Sequence, residues 1–210
     1  MHMGVGEAPV SVGSSDPLQR PRLHEALSQP TSVVALVGPI GAGVTTTLRQ
    51  WSATQSGALW ISPGRVLAFP AFDQRQAADG PIEQTSEAVI VIDDADDLTP
   101  EEWDRIDEIR RLRPLTRIRL AVHSRFAVPF VDDVEFVHDL LFSFDETSQF
   151  LASRNSALDA RAVHLVSGGL PAAVKAIAGL KTLRPALVEQ VLAHQAADLF
   201  LDTQCLGPGD

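Results

Sequence analysis

Hydrophobic residues form short uninterrupted runs in the first part of the chain and helical stripes in the last part. Continuous apolar runs are typical of strands buried on both faces of a sheet. Such runs predict strands at 32–37, 58–62 and 88–92, and short, partly apolar segments predict two more at 117–122 and 134–137. Apolar residues spaced three or four apart predict helices between them, at 17–29, 45–52 and 99–112. Alternating strands and helices predict a mostly parallel five-stranded sheet with helices on both faces.

The pattern becomes entirely helical after residue 143. Ser143 and Glu146 are spaced as a capping box, as are Thr99 and Glu102 earlier in the chain. Further helices are predicted at 158–166, ending at a Gly-Gly pair, then from Pro171 to about 180 and from Pro185 to about 201. A small helical lid subdomain is therefore expected behind the α/β core.

Four segments are expected along the chain. Residues 1–16 are predicted to be a disordered leader that includes a tag remnant, and 204–210 a tail. The α/β core is predicted at 17–142 and the helical lid at 143–203. Residues 63–86, rich in Pro, Gly, Asp and Gln, fit a short helix or an irregular segment equally well. The loop-like end predicts that the chain is part of a longer protein.

Composition and charge narrow the possible functions. The net charge is −10, and the 17 basic residues include only two lysines, Lys175 and Lys181. Direct contact with nucleic acid phosphates is not expected from so acidic a chain. No apolar run is long enough to span a bilayer, so no membrane contact is expected. The single cysteine, Cys205, can form no internal disulfide and fits a reducing, cytoplasmic setting.

Residues 38–47 nearly match the phosphate-binding pattern G-x-x-x-x-G-K-[ST], between a predicted strand and a predicted helix. In such a loop the glycines let backbone N–H groups converge on phosphate oxygens, and the hydroxyl after the lysine binds Mg²⁺. Val44 stands where the lysine belongs. A plain strand-to-helix turn is the alternative interpretation. The candidate nucleotide-binding residues here are Gly38, Gly41, Gly43, Val44, Thr45 and Thr46, with Thr45 also a candidate metal ligand.

A second acidic motif follows the strand predicted at 88–92. Asp93 is a candidate Mg²⁺ ligand, and Asp94 a candidate catalytic residue that orients or deprotonates the attacking water. The alternative is a solvated acidic turn, since two more aspartates follow by residue 97. The two motifs in this order and spacing favour a nucleotide site more than either does alone.

Arginines are the candidate replacements for the missing lysine. Arg125 follows the strand predicted at 117–122, on the edge of the sheet where ligands of open α/β folds bind. It is therefore a candidate catalytic residue that could contact a γ-phosphate, although an ordinary surface arginine is the alternative. Arg22 and Arg65 are weaker candidates.

Six blocks in order resemble the nucleotide-binding module of the MalT-like, large LuxR-type transcription regulators, a branch of the STAND signal-transduction ATPases. The blocks cover roughly 17–200 and are found at 20–23, 38–51, 91–95, 122–125, 139–143 and 168–173. The resemblance implies a P-loop NTPase core, and a lid whose Pro171 lies near an adenine. It also implies ATP or ADP with Mg²⁺ as ligands, and nucleotide-dependent self-association. Arg22 belongs to the first block, at 20–23, which we call the entry block. The implied partners are a helical-repeat sensor and a helix-turn-helix domain of a longer chain.

Because Val44 replaces the loop lysine, three hypotheses about function stay open. The first is a nucleotide-binding switch module with weak or absent hydrolysis. The second is an interaction module of the same fold that binds no nucleotide, whose sign would be a pocket closed by Val44 and apolar neighbours. The third is a working ATPase that uses Arg125 as a relocated cation.

Overall fold

The computed structural model describes residues 18–68, 88–130, 132 and 134–193. Its strands are β1 Val33–Val37, β2 Ala58–Ile61, β3 Val89–Ile92, β4 Arg117–Val122 and β5 Val134–Val137. Its helices are α1 Pro21–Ser28, α2 Val44–Ser52, α3 Pro100–Leu112, α4 Phe144–Ser153, α5 Ala160–Ser167 and α6 Pro171–Ala178, and residues 185–193 are also helical. The predictions for 1–16, for most of 63–86, for the end of the last helix and for 204–210 lie outside the described residues.

The strands form one parallel sheet in the order β2-β3-β4-β1-β5. Ala35 in the middle of β1 is in register with Leu120 of β4 on one side and with Phe136 of β5 on the other. The predicted α/β fold with a five-stranded parallel sheet is therefore confirmed. Because all strands run the same way, the segments that follow β1, β3 and β4 meet at one edge of the sheet.

The three central strands β3, β4 and β1 are buried on both faces, apart from the half-buried first residue of β4, which explains the uninterrupted apolar runs of β1 and β3. Successive side chains of a strand point to opposite faces, so each run contributes to two cores. On one face Val33, Ala35 and Val37 pack with Trp103 and other residues of α3. On the other face Val34 and Leu36 pack with apolar residues of α1 and α2, namely Leu23, Leu27, Leu48 and Trp51.

Arg119 is a polar exception inside the second core. It is 0% exposed, yet it lies on the central part of β4. Its guanidinium donates to the carbonyl oxygens of Leu27, Gln29, Thr31 and Ile118, at 2.7, 2.7, 3.1 and 3.0 Å. The last carbonyls of a helix have no partner within that helix. Arg119 therefore supplies hydrogen-bond donors to the carbonyl groups at the end of α1 and fixes the connection that leads into β1.

The predicted capping boxes are confirmed at both helices. In α3 the Thr99 side chain accepts from the Glu102 N–H and the Glu102 carboxylate accepts from the Thr99 N–H; Ser143 and Glu146 do the same in α4. The helix predicted at 158–166 instead begins at Ala160, because the Asp159 carboxylate caps it by accepting from the Arg161 N–H.

The lid has its own small core and is joined closely to the sheet domain. Its buried residues come from α4, α5, α6 and the segments around them, and are Phe142, Phe150, Leu151, Val163, Val174, Ile177 and Val188. The Phe142 N–H donates to the Gly169 carbonyl at 2.7 Å. Gly169 has a φ of +74°, and a Cβ there would lie 2.5 Å from the Phe142 oxygen, so only glycine fits this junction. In the described part of the chain, no helix has the length and hydrophobicity needed to cross a bilayer.

Candidate functional site

The glycine-rich loop leaves β1 at the ligand-binding edge of the sheet. Its first residue, Gly38, donates its N–H to the Val122 carbonyl at the end of β4, at 3.1 Å. A Cβ on Gly38 would lie 2.5 Å from Leu140 Cδ1. Gly41 and Gly43 have φ values of +86° and +79°, a region that glycine enters without strain. Gly43 is the N-cap of α2, so the loop runs directly into the positive end of that helix.

A cleft of about 1150 Å³ opens between this loop, the acidic turn after β3 and the lid. The cleft brings together several residues predicted for the site from all three segments of the chain. They are Gly41, Gly43, Val44, Thr45, Thr46, Asp94 and Pro171.

Thr45 and Asp93 form the oxygen pair that the sequence predicted for a metal. The Thr45 hydroxyl donates to Asp93 Oδ1 at 3.0 Å, which places Asp93 directly behind the cleft wall. Burial raises the pKa of the Asp93 carboxyl, and the nearby Asp94 charge adds to this, while the Thr45 hydrogen bond opposes it. A hydroxyl and a carboxylate are ligands that Mg²⁺ prefers. Among the described residues no group of three or more His, Cys, Asp or Glu could hold a metal, so further ligands would have to be waters or phosphates.

The acidic turn after β3 is held in a defined conformation. Asp94 is exposed and has a φ of +53°, which is unusual for a residue with a side chain. Asp96 accepts from the backbone N–H groups of His123 and Ser124, at 2.6 and 3.3 Å. These bonds tie the turn to the end of β4 and orient Asp94 on the cleft wall.

Val44 lies at the start of α2, in the position of the missing lysine. It is half-buried, packs against the core formed with Leu48 and Trp51, and also lines the cleft. The loop therefore keeps its backbone shape without a cationic side chain at this position.

Besides Asp93, four residues singled out from the sequence do not line the cleft. Arg125 is exposed in the short turn after β4, with its guanidinium 4.9 Å from the Phe126 ring centre. Arg22 is bound to Asp139 and Glu146, at 2.9 and 3.1 Å. Gly38 is the residue that ties the loop to β4 and does not line the cleft. Arg65, the other weaker candidate, is exposed and also does not line it.

Arg20 is a site residue whose role the sequence did not indicate. Its side chain is 3% exposed and donates to the Ala42 carbonyl in the loop and to the Leu140 and Leu141 carbonyls before the lid, at 3.3, 2.6 and 3.1 Å. Burial lowers the pKa of Arg20, and the Glu146 carboxylate 3.5 Å away opposes this. Its place before Pro21 in the block at 20–23 was the only sequence signal for it.

The lid contacts the loop directly. The Ala172 N–H, in the first turn of α6, donates to the Gly41 carbonyl at 3.0 Å. A Cβ on Gly43 would lie 3.9 Å from Pro171 Cβ, so α6 rests on the loop. The cleft is also lined by Leu18, Phe142, Phe150 and Arg154, which sequence patterns alone did not bring together.

Known proteins resemble this chain in fold and not in sequence. No protein-family model and no curated protein matches the chain. A solved structure of a STAND protein with a tetratricopeptide repeat sensor from Pyrococcus horikoshii is similar, with a TM-score of 0.57 at 15% identity. The match covers 89% of this chain but only 34% of that protein, so the chain spans about a third of its length. A Walker-type ATPase of Pyrococcus abyssi is also similar, with a TM-score of 0.56 at 12% identity over 91% of this chain and 75% of that one. The chain therefore has the fold of P-loop ATPases.

Proposed function

We propose that the chain is a nucleotide-binding switch module that takes ATP or ADP with Mg²⁺ and hydrolyses ATP weakly or not at all. The observation that carries the proposal is the glycine-rich loop, open on a cleft of about 1150 Å³, with the Thr45 and Asp93 oxygens 3.0 Å apart beside it. The two P-loop ATPases of the same fold support it.

The residues present fit both ligands. Backbone N–H groups between Gly41 and Thr46 would bind the phosphates at the positive end of α2. Thr45 and Asp93 would hold Mg²⁺, which when bound neutralises phosphate charge and orients the phosphates. The apolar lining residues Leu18, Phe142 and Phe150 suit a flat base, and Pro171, which also lines the cleft, would lie near it.

We expect weak hydrolysis because neither position 44 nor Arg125 supplies a cation to the phosphates. Val44 supplies no charge to the phosphates, and Arg125 lies away from the cleft on Phe126. Asp94 lines the cleft and could orient a water. Transition-state charge on a transferring phosphoryl group would still lack its usual cation. Binding without efficient turnover suits a switch.

The regulatory setting rests on the resemblance to MalT-like, LuxR-type regulators and on the likeness to a STAND protein. In that setting a sensor and a helix-turn-helix domain elsewhere in a longer chain would respond to the nucleotide, with self-association of the nucleotide-bound form. Any DNA contact would be made by a domain outside this acidic module. The module itself would work in the cytoplasm.

An interaction module without nucleotide is the second hypothesis, and its expected sign is not observed. Val44 packs toward the core beneath α2 and does not close the cleft, which stays open. A working ATPase that depends on Arg125 is likewise not favoured by the position of that side chain.

The test is titration calorimetry of ADP and ATP, with and without Mg²⁺, against the chain and two matched variants. Thr45→Val removes the hydroxyl at the proposed metal site. Thr54→Val makes the same change at an exposed threonine that donates to the Trp51 carbonyl, away from the cleft.

We expect Mg²⁺ to tighten ATP binding by the chain and by Thr54→Val, and this gain to fall about tenfold in Thr45→Val. No heat up to millimolar nucleotide from folded protein would contradict the proposal.

A further inference from the structure

We propose that Lys175 of the lid supplies the positive charge that Val44 does not supply in the loop, by binding a phosphate beyond the α-phosphate of ADP or ATP. This proposal rests on the proposed nucleotide site and names the residue that makes it selective for nucleotides with two or more phosphates.

The position of α6 places Lys175 over the loop. Pro171 and Ala172 in its first turn rest against Gly43 and Gly41. Residues four apart share one face of a helix, so Lys175 lies one turn beyond Pro171 on the same face. Side chains on a helix lean toward its N-terminus, which directs the Lys175 stem back toward the loop.

The burial pattern of α6 agrees with this face. Ala173, Val174 and Ile177 are buried, the last two in the lid core, whereas Pro171, Ala172 and Lys175 line the cleft. Lys175 is exposed at the edge of α6, as a side chain facing an open cleft should be. The helix thus has one side for the lid and one for the ligand.

The negative charge along the cleft favours a cation near the loop. The wall formed by the acidic turn carries Asp94, Asp96 and Asp97. A polyphosphate bound between that wall and the loop would meet acidic groups without the usual lysine. A positive side chain from another segment would therefore strengthen binding there, beside the contribution of Mg²⁺ and the helix end.

The arginines of the cleft contact other groups. Arg20 donates to three backbone carbonyls, and Arg154 lies 5.3 Å from the ring centre of Phe150. The ammonium group of Lys175 makes no hydrogen bond or ion pair within the described ranges. A lysine is a compact charge on a flexible stem with three donors, which suits phosphate oxygens that arrive with the ligand.

The experiment compares adenosine, AMP, ADP and ATP binding by calorimetry in the chain and in three variants. Lys175→Met removes the charge and keeps much of the stem, and Lys175→Arg retains the charge. Lys181→Met is the matched control, since Lys181 is the other lysine, is exposed and does not line the cleft.

For Lys175→Met we expect ADP and ATP affinity to fall about tenfold or more, the size of one lost charge-assisted hydrogen bond. Adenosine and AMP binding should change little. Lys175→Arg should recover much of the loss, and Lys181→Met should bind as the parent chain does.

A second arm restores the missing loop lysine. Val44→Lys should raise ADP and ATP affinity more in the Lys175→Met background than in the parent chain, because the two cations would serve the same phosphates. Equal gains in both backgrounds would assign Lys175 no part in phosphate binding.

The outcomes separate the two proposals. If the parent chain binds ADP and ATP and Lys175→Met binds them equally well, the role of Lys175 is refuted while the nucleotide site stands. If Lys175→Met weakens adenosine as much as ATP, the lysine acts on the fold of the lid and its phosphate role is refuted. If the folded parent chain binds neither nucleotide, both proposals fail.

Discussion

Replacing Arg119 with methionine tests how the buried arginine supports the sheet beneath the site. The change removes four hydrogen bonds from a charged donor to the carbonyls of Leu27, Gln29, Thr31 and Ile118. Hydrogen bonds to charged groups contribute about 1.5–3 kcal/mol each. At the lower figure, the four bonds together stabilise the fold by about 6 kcal/mol.

Burial of the charge opposes this gain. Burial lowers the pKa of Arg119 to about 10, with the nearby Arg117 charge adding to the effect. At about 1.36 kcal/mol per pKa unit, this drop from the ordinary arginine value means that the buried charge costs about 3 kcal/mol. We therefore expect Arg119→Met to lower the free energy of unfolding by about 3 kcal/mol. For a chain of this size, that corresponds to a Tm lower by about 6–12 °C.

Urea unfolding followed by circular dichroism measures the loss directly. Arg161→Met is the matched control at an exposed arginine of α5, where a change within about 0.5 kcal/mol is expected. Arg119→Lys keeps a charge but not the planar fork, so it should also destabilise the chain. A loss below about 1 kcal/mol in Arg119→Met would refute the reasoning, because the charge would then cost as much as its bonds contribute.

Two further predictions concern carboxylates at the site. Asp93→Asn should raise the stability of the nucleotide-free chain by about 0.5–1 kcal/mol at pH 7, because the raised pKa of Asp93 makes its charged form unfavourable in the fold. The gain should vanish in acid, where Asp93 is protonated, and urea midpoints that do not rise at pH 7 would contradict it. The pKa of Glu146 is lowered: burial would raise it, but hydrogen bonds from Arg22 and Ser143 and the Arg20 charge outweigh burial. Glu146 therefore stabilises the fold above its ordinary pKa, and this is lost as the pH falls through the lowered value. Glu146→Gln should flatten the acid side of the stability profile, while Glu25→Gln, at an exposed position, should follow the parent chain.

Local patterns were enough to predict the layers of the fold. The apolar runs at β1 and β3 are buried on both faces, so neighbours along each strand are hydrophobic whichever way they point. The capping boxes at Thr99 and Ser143 depend on residues three apart, which a sequence displays directly. These signals are local, and the structure confirms them.

The positions of the charged residues could not be predicted in the same way. Arg119 stands in a strand whose apolar pattern gives no sign that carbonyls some 90 residues earlier will surround it. Arg125 was expected on the ligand side because it follows β4, but Ser124 caps a short turn that leads the chain away. Lys175 reaches the cleft only because α6 rests on the loop. Each outcome depends on contacts between distant segments.

The contacts of Arg20 and Arg22 also constrain how a ligand could arrive. Arg20 joins the loop carbonyl of Ala42 to the segment before the lid, and both arginines contact Glu146 in the first turn of α4. With Ala172 bonded to Gly41, the lid is fastened at two separate points. Swinging the lid outward would break both fastenings and expose a buried guanidinium. We therefore expect a nucleotide to enter and leave through the open side of the cleft at a rate that does not depend on lid motion.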